Sequence, residues 1–197
     1  MATPALKPAP LQPEHWIDAA LSRLSRDGIE AVRVEVLARD LGVSKGSFYW
    51  HFRDRADLLA KMLARWEGEE AAWLEAATSG VHSPASRWAR LVNRSIEPER
   101  LRCEAGLRAW ARGDATVASC LAAIEKSRAA YIASILRDVG FAPSAADTWA
   151  ELALLVCLGW LDRATRDEDF RLASRGLGEF LSEMILAASD RLAPPSQ

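Results

Sequence analysis

Apolar residues recur three and four positions apart along nearly the whole chain, with polar residues filling the gaps. That spacing marks helices with one buried stripe, and the period-two alternation of strands is nearly missing. The pattern predicts an all-α protein of about nine helices. The first covers about 13–27, with Trp16, Ile17, Ala20, Leu21 and Leu24 on one face. Pro13 suits its first turn and Gly28 its end. The second covers about 34–41, with Leu37, Ala38 and Leu41 inward, and Gly42 supplies the turn after it. The third covers 45–52 behind Ser44 as N-cap, and a long fourth starts at the N-cap Asp54 and ends near Ala77. The segment 78–83 is the clearest break, and Ser83-Pro84 opens the fifth helix, to about 96. Helices six to nine follow at about 98–112, from Gly113-Asp114 to 139, 145–165 and 168–191.

The third helix carries the most suggestive chemistry. Phe48 and Phe52 stand four residues apart and share one face, so they read as its core anchor. The other residues project elsewhere. Lys45 and Ser47, at the helix start, have donors suited to base edges, and Tyr49 and His51 are long enough to reach phosphates. Trp50 either packs on sugar and thymine methyl groups or is structural. A short helix anchored this way is what a DNA major groove accepts. Yet the formal net charge of the chain is −2, so any basic surface must be local. From Arg39 to Arg55 four cations face two carboxylates, a surplus of only +2. One such unit neutralises few phosphates, whereas two on one body, about one DNA turn apart, would add their contacts.

The stretch from Gly28 to Leu59 resembles the TetR family of transcription regulators. Gly28, Leu37-Ala38, Gly42-Val43-Ser44, Tyr49, His51-Phe52 and Leu58-Leu59 carry the resemblance. It implies an N-terminal three-helix helix-turn-helix DNA-binding unit joined to a C-terminal helical domain for effector binding and dimerisation. We divide the chain into a disordered arm at 1–12, a DNA-binding domain at 13–60 and a ligand-binding and dimerisation domain at 61–197. The implied DNA-contacting residues are Arg33, Ser44, Lys45, Ser47, Tyr49, Trp50, His51 and Arg55. Two positions depart from the family pattern. Arg33-Val34-Glu35 stands where a hydroxyl usually caps the second helix and binds phosphate, and Arg33 can replace that contact. Glu35 is an odd neighbour for DNA. Arg55 replaces a usual Lys and keeps its charge.

The rest of the chain fits the implied second domain. The eighth helix is apolar around its whole axis, so it needs a core on one side and a cover on the other. The ninth offers Leu177, Phe180, Leu181 and Met184 at three-four spacing. Together with Trp149, Leu152, Val156 and Trp160 they would form a two-fold four-helix interface between subunits; an intramolecular core is the other reading. Six of the eight tryptophans lie outside the DNA-binding unit. Large rings either line a pocket for a flat, greasy molecule or fill a core. The family places its effectors among helices four to eight, and Met62, Trp66, Trp88, Leu91, Leu107, Trp110 and Tyr131 are the pocket wall we expect for a small apolar or aromatic effector. Glu104 and Arg108 stand four apart as an ion pair or a polar ligand clamp.

Other classes find little support. There is no catalytic constellation, phosphate loop, metal spacing or cofactor signature; His15, His51 and His82 do not cluster. Cys103, Cys120 and Cys157 are far apart and suit a reduced cytosolic protein. The proline-bearing start lacks the apolar run of a signal peptide, and the longest apolar run, 152–161, is short for a membrane span. The expectation is a cytoplasmic homodimeric repressor that binds a palindromic DNA operator and is released by a small molecule. The alternative is a protein-interaction module whose DNA-binding unit has drifted.

Overall fold

Gln12 and Pro13 start the first helix, α1 (Pro13–Asp27), where the Gln12 and His15 side chains form a reciprocal capping box. A single left-handed residue, Gly28 at φ 79°, ends it. In the computed structural model, residues 11–80, 83–95 and 97–173 are described, together with Glu183. A short 3-10 turn, Ile29–Ala31, leads into α2 (Val34–Asp40). Gly42, at φ 68°, makes the turn to α3 (Lys45–Tyr49), and α4 spans Arg55–Thr78. Then come α5 (Pro84–Ser95), α6 (Pro98–Ala111), α7 (Ala115–Asp138), α8 (Pro143–Arg166) and α9 (Glu168–Ala173). The described residues contain no strand.

Several caps follow from the sequence. Asp54 accepts the Asp57 amide at 2.8 Å, and Asp114 accepts the Thr116 amide at 2.9 Å at the start of α7. Ser44 is a correction, since its side chain makes no capping hydrogen bond. The third helix is also shorter than expected, ending at Tyr49 and leaving His51 and Phe52 in the following turn. The arm expected at 1–12 and the ninth helix beyond Ala173 lie mostly outside the described residues.

The chain forms two compact units, Met1–Arg65 and Trp66–Gln197, with the boundary inside α4. In the first unit Trp16, Ala20, Leu24, Leu37, Phe48, Phe52 and Leu58 are buried. Phe48 is the hub of an aromatic cluster, with Trp16 edge-on at 5.3 Å and Phe52 stacked at 5.1 Å. Arg23 ties α1 to α2 by a fork onto Asp40, at 2.5 and 2.6 Å. In the second unit Trp88, Leu91, Tyr131, Ile132, Leu136, Phe141 and Ala150 join one cluster, while Leu101, Trp160, Leu161 and Ala164 join another.

A buried charge network, invisible in the sequence except for one pair, stitches α4, α6 and α7 of the second unit. Arg128 donates to Glu70 at 2.9 Å and to Glu104 at 2.8 Å. Arg100 also donates to Glu70, at 2.7 Å. Arg108 donates to Glu104 at 2.8 Å and to Glu125 at 2.7 Å. Glu104 and Arg108 therefore form the ion pair suggested by their spacing. Burial alone would raise the Glu104 carboxyl, but Arg128 and Arg108 outweigh it and hold it at about 2. Burial pushes the Cys157 thiol up to about 11, with Arg128 opposing the rise and Glu104 adding to it.

Helix α8 is long and apolar enough, by length and composition alone, to cross a membrane. Ala146, Ala150, Ala153, Leu154, Trp160, Leu161 and Ala164 are nevertheless buried within the protein, as in a core helix. Its other face is different: Leu152 and Leu155 are 48% and 64% exposed, and Gly159 has open space before it.

Candidate nucleic-acid interface

The first unit builds its outer surface from the inside. Phe48 and Phe52 point inward and are at most 2% exposed, which fixes the roll of α3. The residues between and before them must then face out. Trp50 is 87% exposed and Tyr49 62% exposed, although both are large and aromatic. The Tyr49 ring leans edge-on against Phe48 at 5.3 Å, so its phenol end is presented outward on a braced ring. Lys45 stands at the helix start with Ser44 and Gly46, all exposed. His51 and Ser47 are half-buried; the His51 carbonyl accepts a hydrogen bond from Lys61 at 3.3 Å. Lys61 also lies 4.8 Å from the Phe52 ring centre.

Two of the expected contacts have partners within the protein. The Arg55 guanidinium, expected at phosphate, is half-buried and donates to the Val32 carbonyl at 2.6 Å and the Ile29 carbonyl at 2.8 Å. It closes the turn between α1 and α2 against the start of α4, because the 3-10 turn leaves carbonyls that need donors. Lys45 is not a lone cation: its ammonium meets the Glu35 carboxylate of α2 at 2.9 Å, and Lys45 thereby holds Glu35 below the usual carboxylate range. Arg33, the N-cap residue of α2, is exposed as expected, without a side-chain capping bond.

Residues 17–62 match the family described as bacterial regulatory proteins, tetR family. This stretch of the chain is similar to that family. The match coincides with the unit just described, from the buried Ile17 to the buried Met62. The HTH-type transcriptional regulator AcrR of Shigella flexneri is 34% identical over 58 residues, covering 29% of this chain and 26% of that protein. The class A tetracycline repressor protein from transposon 1721 of Escherichia coli is 43% identical over 49 residues, covering 25% and 23%. The chain thus matches about a quarter of the length of these two curated relatives. The fold reaches further. A TetR transcriptional regulator from Legionella pneumophila superposes with a TM-score of 0.70 at 14% identity, over 92% of this chain and 99% of that one. The fold likeness therefore extends beyond residues 17–62 to the second helical unit.

The residues expected to wall an effector pocket are all buried. Met62 belongs to the first unit; Trp66, Trp88, Leu91, Leu107, Trp110 and Tyr131 belong to the second. Trp88, Leu91 and Tyr131 pack in one cluster. Two clefts of the second unit, of about 330 and 390 Å³, are lined by other residues, among them Glu67, Glu70, Leu74 and Ile124 in one and Lys126, Asp147 and Glu151 in the other. Within the packed cluster the Trp88 indole N–H and the Tyr131 hydroxyl are buried without a hydrogen-bond partner among the described residues. Of the expected subunit interface, Leu152 is exposed, Trp149 and Val156 are half-buried, and Trp160 is buried. Leu177, Phe180, Leu181 and Met184 lie outside the described residues. Sequence reasoning missed Leu155 as the most exposed apolar residue of α8; its i, i+3 relation to Leu152 was the available signal.

Proposed function

We propose that the protein is a cytoplasmic, homodimeric transcriptional repressor that binds a palindromic operator and is released by a small-molecule effector. One observation carries the DNA-binding part: Tyr49 and Trp50 stand exposed on α3 while Phe48 and Phe52 beside them are fully packed. Large aromatic residues held in water by a rigid anchor are unusual unless something covers them. In this reading Lys45, Ser47 and Trp50 face base edges and thymine methyls, while Arg33, Ser44, Tyr49 and His51 hold phosphates.

Dimerisation follows from charge and surface together. The small cationic surplus of one unit supports only weak binding, and two units sum their contacts. Leu152, Leu155, Val156 and Gly159 lie at i, i+3, i+4 and i+7 on α8, an apolar stripe with a glycine that admits close approach. A second copy of the same stripe is the occupant we assign, in a two-fold arrangement. Leu155→Glu is expected to convert the dimer to a monomer in sedimentation and to weaken operator binding with it.

The effector reading draws support from the buried Trp88 and Tyr131 groups, which have no hydrogen-bond partner among the described residues and which an oxygen-bearing aromatic ligand would satisfy. Helix α4 begins in the first unit and ends in the second. A ligand that binds one setting of α4 better than the other shifts operator affinity by that difference and no more.

A gel-shift titration with DNA flanking the protein's own gene tests the central reading. Salt-sensitive binding that falls in both Lys45→Ala and Tyr49→Ala is the expected result. Salt-insensitive or absent binding would instead favour a protein-interaction module.

A further inference from the structure

We propose that Glu35 and Lys45 act as one unit that reads a C·G base pair in the operator, with Glu35 as the specificity-determining residue. This rests on the operator-binding reading above. The two side chains come from different helices, α2 and α3, and meet at 2.9 Å with 60% of each exposed. An isolated carboxylate on a DNA-facing surface is repelled by phosphates. Joined to Lys45 it presents no net charge, and it keeps acceptor capacity, since a carboxylate has about four lone-pair sites. Lys45 likewise uses one of its three donors on Glu35. The pair therefore presents a donor and an acceptor side by side, open to solvent.

The major-groove edge of a C·G pair is the complement of that arrangement. Guanine shows the acceptors N7 and O6, and cytosine shows the N4 donor. O6 and N4 are hydrogen-bonded to each other, so they sit about 2.9 Å apart, the same spacing as the ammonium and carboxylate. Lysine at guanine O6/N7 and glutamate at cytosine N4 are each chemically matched contacts. An A·T pair, with adenine on the Glu35 side, also sets an acceptor beside a donor. There, however, the ammonium would meet thymine O4 flanked by the C5 methyl instead of the double acceptor of guanine. The geometry thus favours C·G, with guanine on the Lys45 side.

Random-site selection with the full-length protein and with Glu35→Gln tests this, followed by direct titration at one fixed salt concentration. Wild type is expected to require one C·G pair at the same place in each half-site. Replacing that pair by T·A, with thymine on the Glu35 side, should weaken wild type about ten-fold and Glu35→Gln about two-fold or less, because the carboxamide can donate to thymine O4 where the carboxylate cannot. The same motif with the same losses in both proteins overturns the inference while leaving operator binding intact. So does Lys45→Ala that loses affinity evenly over all sequences with a shallower salt dependence, the mark of a phosphate contact. Failure of wild type to select any motif overturns the operator reading itself, and this inference with it. Unchanged circular dichroism in both variants ties the results to recognition rather than folding.

Discussion

In the first unit Lys45 and Glu35 meet at 2.9 Å with 60% of each side chain exposed; in the second, Arg128 meets Glu70 and Glu104 at 2.9 and 2.8 Å with at most 9% of any of the three exposed. The bond lengths are alike and the consequences are opposite. Water screens the exposed pair and competes for it, so it adds little to folding, and its spare donors and acceptors stay open. The buried residues have no such opening. Each guanidinium or carboxylate there has been stripped of water and depends on its neighbours, so removing one strands the others. The first unit leaves the Glu35–Lys45 pair open to solvent. The second uses them to fix how α4, α6 and α7 pack.

The largest predicted effect comes from breaking the buried set. Arg128→Met leaves Glu70 and Glu104 without their shared counter-charge and should destabilise the second unit by about 3–5 kcal/mol in urea unfolding. A loss below about 1 kcal/mol would show that the network is not what fixes the packing. Acid attacks the same point more gently. Glu104 is held at about 2 against an ordinary 4.5, so its contribution is complete above about pH 5 and is lost as pH falls towards 2. The loss for this group is of order 3 kcal/mol. Urea midpoints of wild type and Arg128→Met should therefore converge as pH drops through that window; parallel curves would count against it.

Arg55 gives an intermediate case, half-buried and bonded to two carbonyls rather than to a carboxylate. Arg55→Ala is expected to destabilise the first unit by about 1–3 kcal/mol, the usual consequence of leaving partly buried acceptors unmet. Full thermal stability combined with weakened operator binding would return Arg55 to the phosphate-contacting role expected from the sequence.

These cases also mark what the sequence revealed. Helix positions were legible because Trp16 to Leu24, or Leu152 to Leu161, repeat at helical spacing, which is a local signal. Phe48 and Phe52 were legible as an anchor for the same reason, and both are buried. The Glu104–Arg108 pair was legible at i, i+4. Arg128 was not, because its partners lie 24 and 58 residues away and only packing brings them together. Glu35 was noticed as an anomaly near DNA, but its partner Lys45 sits across the turn on another helix, so the pairing needed the fold. The carbonyl partners of Arg55 were not legible, because a basic residue at that position has the same sequence signal whether it meets phosphate or a carbonyl. Gly42 showed that a turn was present but not that the helix after it would end at Tyr49.

The smallest predicted stability effect tests the comparison most sharply. Trp50→Ala removes a large ring that is 87% exposed, so almost no buried contact is lost. Unfolding should change by no more than about 0.5 kcal/mol, as for surface substitutions in general. Operator affinity should nevertheless fall, because a ring left this exposed among the described residues is available to pack on sugar and thymine methyl groups. The alternative role for Trp50, a structural one, predicts the reverse: a measurable loss of stability and operator affinity that follows only the folded fraction. Measuring both quantities on one preparation separates the two, and a fall in stability larger than the fall in affinity would move Trp50 from the recognition surface to the scaffold.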